Sequence, residues 1–273
     1  MEWTLQQLYR GDWPAKLWQR WPRSCRVRCV RHELAWLPAG RRALRLGYVS
    51  DLHLGPTTPR PLLEAAFDAL SRASPDVLLL GGDYVFLEAT REKAAQLAEL
   101  IGRVPARRKL AVLGNHDLWT HHGVLEDGLL QAGVELLSNR SVQLDDVVIA
   151  GVDDPWTGEP SAQAALSEAG DPRVLVVLCH SPDALPEVLR ELGRTPRGSH
   201  RLYVCGHTHG GQIATPWGPI VVPGRVGKRY PHGMHRVGSV HLHVSRGIGA
   251  TELPIRSYAP PELALIDLVP EPV

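Results

Sequence analysis

Apolar runs recur along this chain, and each leads into a short loop carrying Asp, Asn or His. Leu46-Gly47-Tyr48-Val49 leads to Asp51 and His53, and Val77-Leu78-Leu79-Leu80 to Asp83. Leu110-Ala111-Val112-Leu113 leads to Asn115 and His116. Val174 to Cys179 leads to His180, and Leu202-Tyr203-Val204-Cys205 to His207 and His209. Runs that are apolar at every position, rather than at alternate ones, mark strands buried on both faces. The pattern predicts strands at 45–50, 76–80, 109–113, 173–179 and 201–205, with helices near 60–73, 88–102, 122–132 and 183–192. Strand–helix alternation of this kind argues for parallel strands joined by helical crossovers. Residues 141–151 read instead as a hairpin turning at Asp145-Asp146. Residues 26–33 alternate, Val27 and Cys29 against Arg28, Val30 and His32, and predict an edge strand; further strands fall near 239–244 and 262–268. The expectation is an α/β fold with a second sheet packed on the first.

In open α/β sheets, ligands bind beyond the carboxyl ends of the strands. Five separate loops then converge on one place and bring carboxylate, amide and imidazole. That donor set describes a metal site. It mixes oxygen and nitrogen without sulfur, which suits manganese first, with iron, zinc or cobalt next and magnesium less favoured by so much imidazole.

Composition adds an asymmetry. The chain has 273 residues and a net charge of +1. Residues 1–45 hold ten Lys/Arg against three acids, +7, and the remainder holds 20 against 26, −6. Residues 1–24 form a basic arm with Trp3, Trp13, Trp18 and Trp21, in which Pro14 and Pro22 would interrupt any helix. We therefore divide the chain into an arm, 1–24, and a catalytic-type domain, 25–273. Tryptophan with arginine suits an anionic membrane surface. The same tryptophans suit a tail docked on its own domain, and both readings stand at this point. No nucleic-acid recognition motif is present, so no specific nucleic acid is expected. No apolar stretch approaches about 18 residues and no signal-peptide region is evident, which predicts a cytoplasmic protein, at most peripheral on the inner face of a membrane. Cys179 and Cys205 end apolar runs and read as buried small residues; Cys25 and Cys29, at i and i+4, do not form a usual zinc knuckle.

The blocks Asp51-Leu-His53, Gly82-Asp83, Gly114-Asn115-His116-Asp117, His180 and Gly206-His207-Thr-His209 resemble, in order and spacing, the signature of the calcineurin-like metallophosphoesterases. The tail, with Gly210-Gly211-Gln212, Pro216-Trp-Gly-Pro219, Ser245-Arg-Gly-Ile-Gly249 and Pro254-Ile-Arg256, looks like a bacterial branch of small, often membrane-associated members. Some relatives in that branch act on UDP-2,3-diacylglucosamine in lipid A synthesis. The resemblance implies a four-layer αββα sandwich with a binuclear centre. One ion would take Asp51, His53, Asp83 and His209; the other would take Asp83, Asn115, His180 and His207. Asp83 is the bridge, as an anion must lie between two close cations. The resemblance also makes His116 the general acid for the leaving oxygen, with Asp117 orienting its imidazole, a role suited to a group that titrates near neutrality.

The 31 residues between Asp83 and Asn115 leave no room there for an inserted lid domain. A groove for acyl chains would have to come from the arm, from 118–140 or from 213–236. Arg246 in Ser-Arg-Gly is either a phosphate grip or half of a structural ion pair. Trp119 either shapes the entrance or packs, and His232, in the tail loop, is a substrate-contact candidate. His121, His122, His200, His235, His241 and His243 belong to no motif. The implied reaction is hydrolysis of a phosphodiester or diphosphate in a lipid-linked or nucleotide-linked substrate. A broad phosphodiesterase acting on nucleotides or nucleic-acid ends is the rival. A catalytically silent protein-binding scaffold is disfavoured because every inferred ligand and His116 are present.

Overall fold

The computed structural model describes residues 2–20, 26–194 and 200–272, with side chains from Thr4 onward. Trp21, Pro22, Arg23 and Cys25, and the side chain of Trp3, lie outside the described residues. Two six-stranded sheets stack face to face. In spatial order, the first holds Arg28–Leu37, Glu262–Pro270, Leu44–Val49, Val77–Leu80, Arg108–Ala111 and Glu135–Leu136. The second holds Gly233–Val237, Val240–Val244, His200–Cys205, Val174–Leu178, Val147–Gly151 and Arg140–Leu144.

Three apolar clusters show why the runs carry no polar alternation. Leu78 and Leu80 face the helices Arg60–Ala73, Arg91–Gly102 and Gly123–Gln131, while Val77 and Leu79 face the other sheet. Val174, Val176 and Leu178 also fill the space between the sheets, while Leu175 and Val177 pack under Ala162–Ser167 and Leu185–Leu192. Each central strand is thus sandwiched on both faces, giving helix, sheet, sheet, helix. The predicted hairpin is present, with Leu144 paired to Val147 across the Asp145-Asp146 turn. The predicted edge strand is the outermost strand of the first sheet and runs parallel to Glu262–Pro270.

The arm differs from its expectation. It forms helices Glu2–Leu8 and Trp13–Trp18, and Pro14 sits in the first turn of the second, where its missing N–H costs nothing. The break between them falls at Gly11 and Asp12, both at positive φ. Trp18 is buried in the cluster that includes Leu52, Leu62, Leu63 and Phe67. Ala15 donates its N–H to the Pro56 carbonyl at 2.9 Å, and the Tyr9 hydroxyl donates to the carbonyl of Glu252. Leu8, Trp13 and Leu17 stay exposed. Trp18→Ala should therefore cost about 3 kcal/mol, as for other large aromatic deletions in cores. Thermal unfolding would show it as a fall of several degrees; an unchanged midpoint would mean that the indole contributes no packing.

Candidate metal centre

All seven predicted ligands sit just past a strand's carboxyl end, and the sandwich brings both sets of loops together. Asp51, His53, Asp83 and Asn115 come from the first sheet; His180, His207 and His209 come from the second. Six of them form two donor groups sharing one carboxylate: Asp51, His53, Asp83 and His209, and Asp83, His180 and His207. Within each group the donor atoms lie within 4.8 Å of one another. Asp83 Oδ2 is 3.6 Å from His53 Nε2 and 3.1 Å from His180 Nε2. Asn115 is buried next in sequence to His116, and its amide oxygen has no hydrogen-bond partner. An orphaned buried acceptor costs about 1–3 kcal/mol, which a cation at that oxygen would relieve. Histidine nitrogens are paired in the same way: His53 and His209 bring Nε2 atoms to 3.1 Å, and His207 Nδ1 lies 3.2 Å from His180 Nε2. These residues fit a pair of divalent cations.

Backbone geometry aims the donors. The His207 N–H donates to Asp51 Oδ1 at 2.9 Å, and the His116 N–H donates to Asp83 Oδ1 at 2.9 Å. His180 Nδ1 lies 2.8 Å from the Gly81 carbonyl, which can only accept, so Nε2 is left for an ion. A Cβ on Gly114 would fall 2.2 Å from Asp83 Oδ1, and one on Gly206 would fall 2.2 Å from Asp51 Oδ2. Only glycine admits the carboxylates there. Five ligands, Asp51, His53, Asp83, His207 and His209, have φ between 46° and 69°. Left-handed backbone costs a non-glycine residue about 1 kcal/mol or more, and such strain gathers at functional sites.

Burial also sets protonation. It pushes His53 and His209 well below the usual imidazole range and His207 down to about 3, so all three are neutral donors. Burial, helped by the Asp83 charge, raises Asp51 to about 6 against the opposing charge of His180. His180 goes the other way: burial disfavours its charge, but Asp83 prevails and holds it well above its usual value. Cation binding must then displace that proton.

His116 belongs to neither donor group; it is partly exposed, lines a cavity of about 460 Å³, and its ring lies 5.0 Å from that of His53. Its ring lies between Phe86 at 5.6 Å and Trp119 at 4.7 Å. Asp117 does not do what the resemblance implied. Its carboxylate accepts the N–H groups of Asp83, Tyr84 and Gly114 at 2.7–3.0 Å, because it occupies the third position of the short helix Asn115–Leu118 and caps that turn. It locks the Asp83 and Gly114 loops together and leaves the His116 ring to its aromatic neighbours. Burial pushes its carboxyl up to about 7. Arg246 is not among the residues that line the cavity. It pairs with buried Glu262, and its Nη2 lies 2.9 Å from His232 Nδ1, which binds both residues into a structural cluster.

Two contributors were given no role from the sequence: Trp156 was unnamed there, and Arg256 entered only within the Pro254-Ile-Arg256 block. Trp156 lines the cavity, its ring 4.8 Å from His207. It follows the strand Val147–Gly151, so the rule that located the ligands also applies to it; the Asp154 carboxylate sets its turn by accepting the Trp156 and Thr157 N–H groups. Arg256 is half-buried, donates to the His209 carbonyl at 3.2 Å and lies 3.1 Å from His209 Nδ1. It steadies a ligand 47 residues away, and no local spacing announces that.

A helix-flanked double sheet with these donors at its carboxyl edge defines a metal-dependent phosphoesterase. The family model for calcineurin-like phosphoesterases matches residues 44–211, and the chain belongs to that family. It is 31% identical over 240 residues to the metallophosphoesterase YkuE of Bacillus subtilis, covering 85% of this chain and 81% of that one. It is 30% identical over 248 residues to the phosphodiesterase YaeI of Escherichia coli, covering 88% and 87%. A zebrafish (Danio rerio) transmembrane protein with a metallophosphoesterase domain is 29% identical over 252 residues, 85% of this chain and 54% of the relative. Among the described residues of this chain, no helix is long and apolar enough to cross a membrane.

Proposed function

We propose that the chain hydrolyses a phosphodiester or diphosphate linkage in a lipid-linked substrate, with UDP-2,3-diacylglucosamine of lipid A synthesis as the candidate and manganese as the metal. The observation that carries this reading is the mixed lining of the cavity, which includes Asp83, Asn115, His116 and His207 together with the apolar side chains of Ile213, Ile220, Val221, Pro223 and Leu253. A charged phosphoryl group suits the polar lining, and an acyl chain suits the apolar lining. Exposed Trp119 and Trp156 beside it suit a nucleobase, which also keeps a nucleotide phosphodiesterase in view. Two divalent ions would polarise the phosphoryl oxygens and acidify the attacking water. The chain's own part would be to offer the Asp83 carboxylate from both donor groups, to keep His53, His207 and His209 neutral and to present His116 for protonation of the leaving oxygen. On the arm, exposed Leu8, Trp13 and Leu17 beside Arg10, Lys16 and Arg20 support reversible contact with an anionic membrane surface.

The test is a hydrolysis panel with manganese-loaded protein: a chromogenic diester, nucleotides, nucleotide-sugar diphosphates and UDP-2,3-diacylglucosamine. The lipid-linked diphosphate should be turned over most efficiently; preference for plain nucleotides would transfer the assignment to the rival. Metal analysis should approach two ions per chain, and chelation should lower the unfolding temperature, because a ligand bound only to the native state stabilises it. A firm ratio of one at saturating manganese, or an unfolding temperature indifferent to chelation, would count against the paired site.

A further inference from the structure

We infer that the mouth of the cavity is a membrane-docking face, with the loop around Trp217 entering the headgroup layer of an anionic bilayer. This rests on the lipid-linked substrate reading and goes beyond it by assigning the surface. Trp217 sits at the turn between the short strands Ala214–Thr215 and Gly218–Pro219, and it is 93% exposed. Ile220 and Val221 follow at 65% and 72% exposure, and both also line the cavity. Single exposed apolar residues are ordinary, but a solvated indole beside two solvated aliphatic side chains at a cavity rim marks an interaction surface.

The charge pattern says what covers it. From residue 192 to residue 251 the chain contains eight Lys/Arg and not one Asp or Glu, and the next residue, exposed Glu252, is the acid at the cavity rim. Three of the eight, Arg225, Lys228 and Arg229, lie exposed on the helix Arg225–Arg229, directly after the apolar segment. Among the described residues none of the three pairs with a carboxylate. Asp183, which meets the start of that helix, is occupied in accepting the Val226 N–H at 2.8 Å. Indole and aliphatic tips flanked by cations that meet no carboxylate among the described residues match the headgroup layer of an anionic bilayer.

The face continues beyond the hairpin. Gln212, at its base, donates to the carbonyls of Thr251 and Leu253 at 2.9 Å, and Tyr9 on the arm donates to Glu252 of the same loop. That loop exposes Leu253, Ile255 and Tyr258. Hairpin, loop and arm are thus tied together, and the cavity is lined by Ile213 and Ile220 at the hairpin and by Thr251, Glu252 and Leu253 of the loop. A lipid-linked phosphoester could then pass from the bilayer to the donors without its acyl chains crossing water.

The experiment is co-sedimentation of the full chain with vesicles of phosphatidylcholine, with and without phosphatidylglycerol. The intact protein should bind the anionic vesicles and lose them at high salt. Trp217→Ser should weaken binding about tenfold, and the combined Arg225→Gln, Lys228→Gln and Arg229→Gln variant on the order of 100-fold. Both should turn over a soluble chromogenic diester as the intact protein does, which shows that they fold. Intact protein that ignores anionic vesicles, or two variants that bind as it does, would overturn the inference. A solution dimer dissolved by Trp217→Ser, without vesicle binding, would overturn it too and give the face to a second copy. A lipid-linked diphosphate dispersed in detergent separates this from the substrate reading. Hydrolysis there without vesicle binding removes the docking face alone. Vesicle binding that depends on Trp217 without hydrolysis there supports the face and removes the substrate.

Discussion

Asp83→Asn should cut turnover by several orders of magnitude while leaving the fold intact. The side chain belongs to both donor groups, so its charge is used twice. Two cations close enough to clamp one phosphoester repel each other, and an anionic bridge offsets that repulsion. The amide keeps the shape and the acceptor for the His116 N–H, which is 2.9 Å from Oδ1. It removes the charge that faces His53 and His180. Metal content should fall below two ions per chain, and the circular dichroism spectrum should stay unchanged. An asparagine variant that retains two ions and near-normal turnover would end the bridging assignment.

His116→Ala should give the second-largest loss, about 10²–10⁴-fold in kcat if proton transfer is what it supplies. Unlike the bridge variant, it should keep both ions, because the imidazole lies outside both donor groups. The loss should be large for alkyl esters, whose leaving oxygen needs a proton, and small for p-nitrophenyl esters, whose leaving oxygen does not. Equal losses on both would mean that His116 acts by shaping the cavity with Phe86 and Trp119.

The donors were legible because each follows a strand buried on both faces, and such strands advertise themselves as unbroken apolar runs. A segment such as Val77–Leu80 also fixes the layer order, since alternate residues must meet different partners: Leu78 and Leu80 meet helices, and Val77 and Leu79 meet the second sheet. Helix limits were less legible. The helix expected from residue 88 starts at Arg91, where the Thr90 hydroxyl accepts the Lys93 N–H and sets the cap. The helix Ala162–Ser167 and the strands Glu135–Leu136 and Gly233–Val237 escaped notice because they are short and partly polar. Roles that depend on distant partners were also hidden. Asp117 is bound by the N–H groups of residues 33 and 34 positions away, and Arg246 by Glu262 from another strand. The arm's prolines suggested that any helix there would be interrupted, but a proline in a first helical turn is compatible with the helix that follows.

The left-handed ligands alter what a scanning experiment reports. At Asp51, His53, Asp83, His207 and His209, alanine deletes the donor but keeps the unfavourable backbone, whereas glycine deletes the donor and eases the chain. The alanine–glycine difference at one position therefore isolates the conformational cost of holding that donor in place, measured on a protein that no longer uses it.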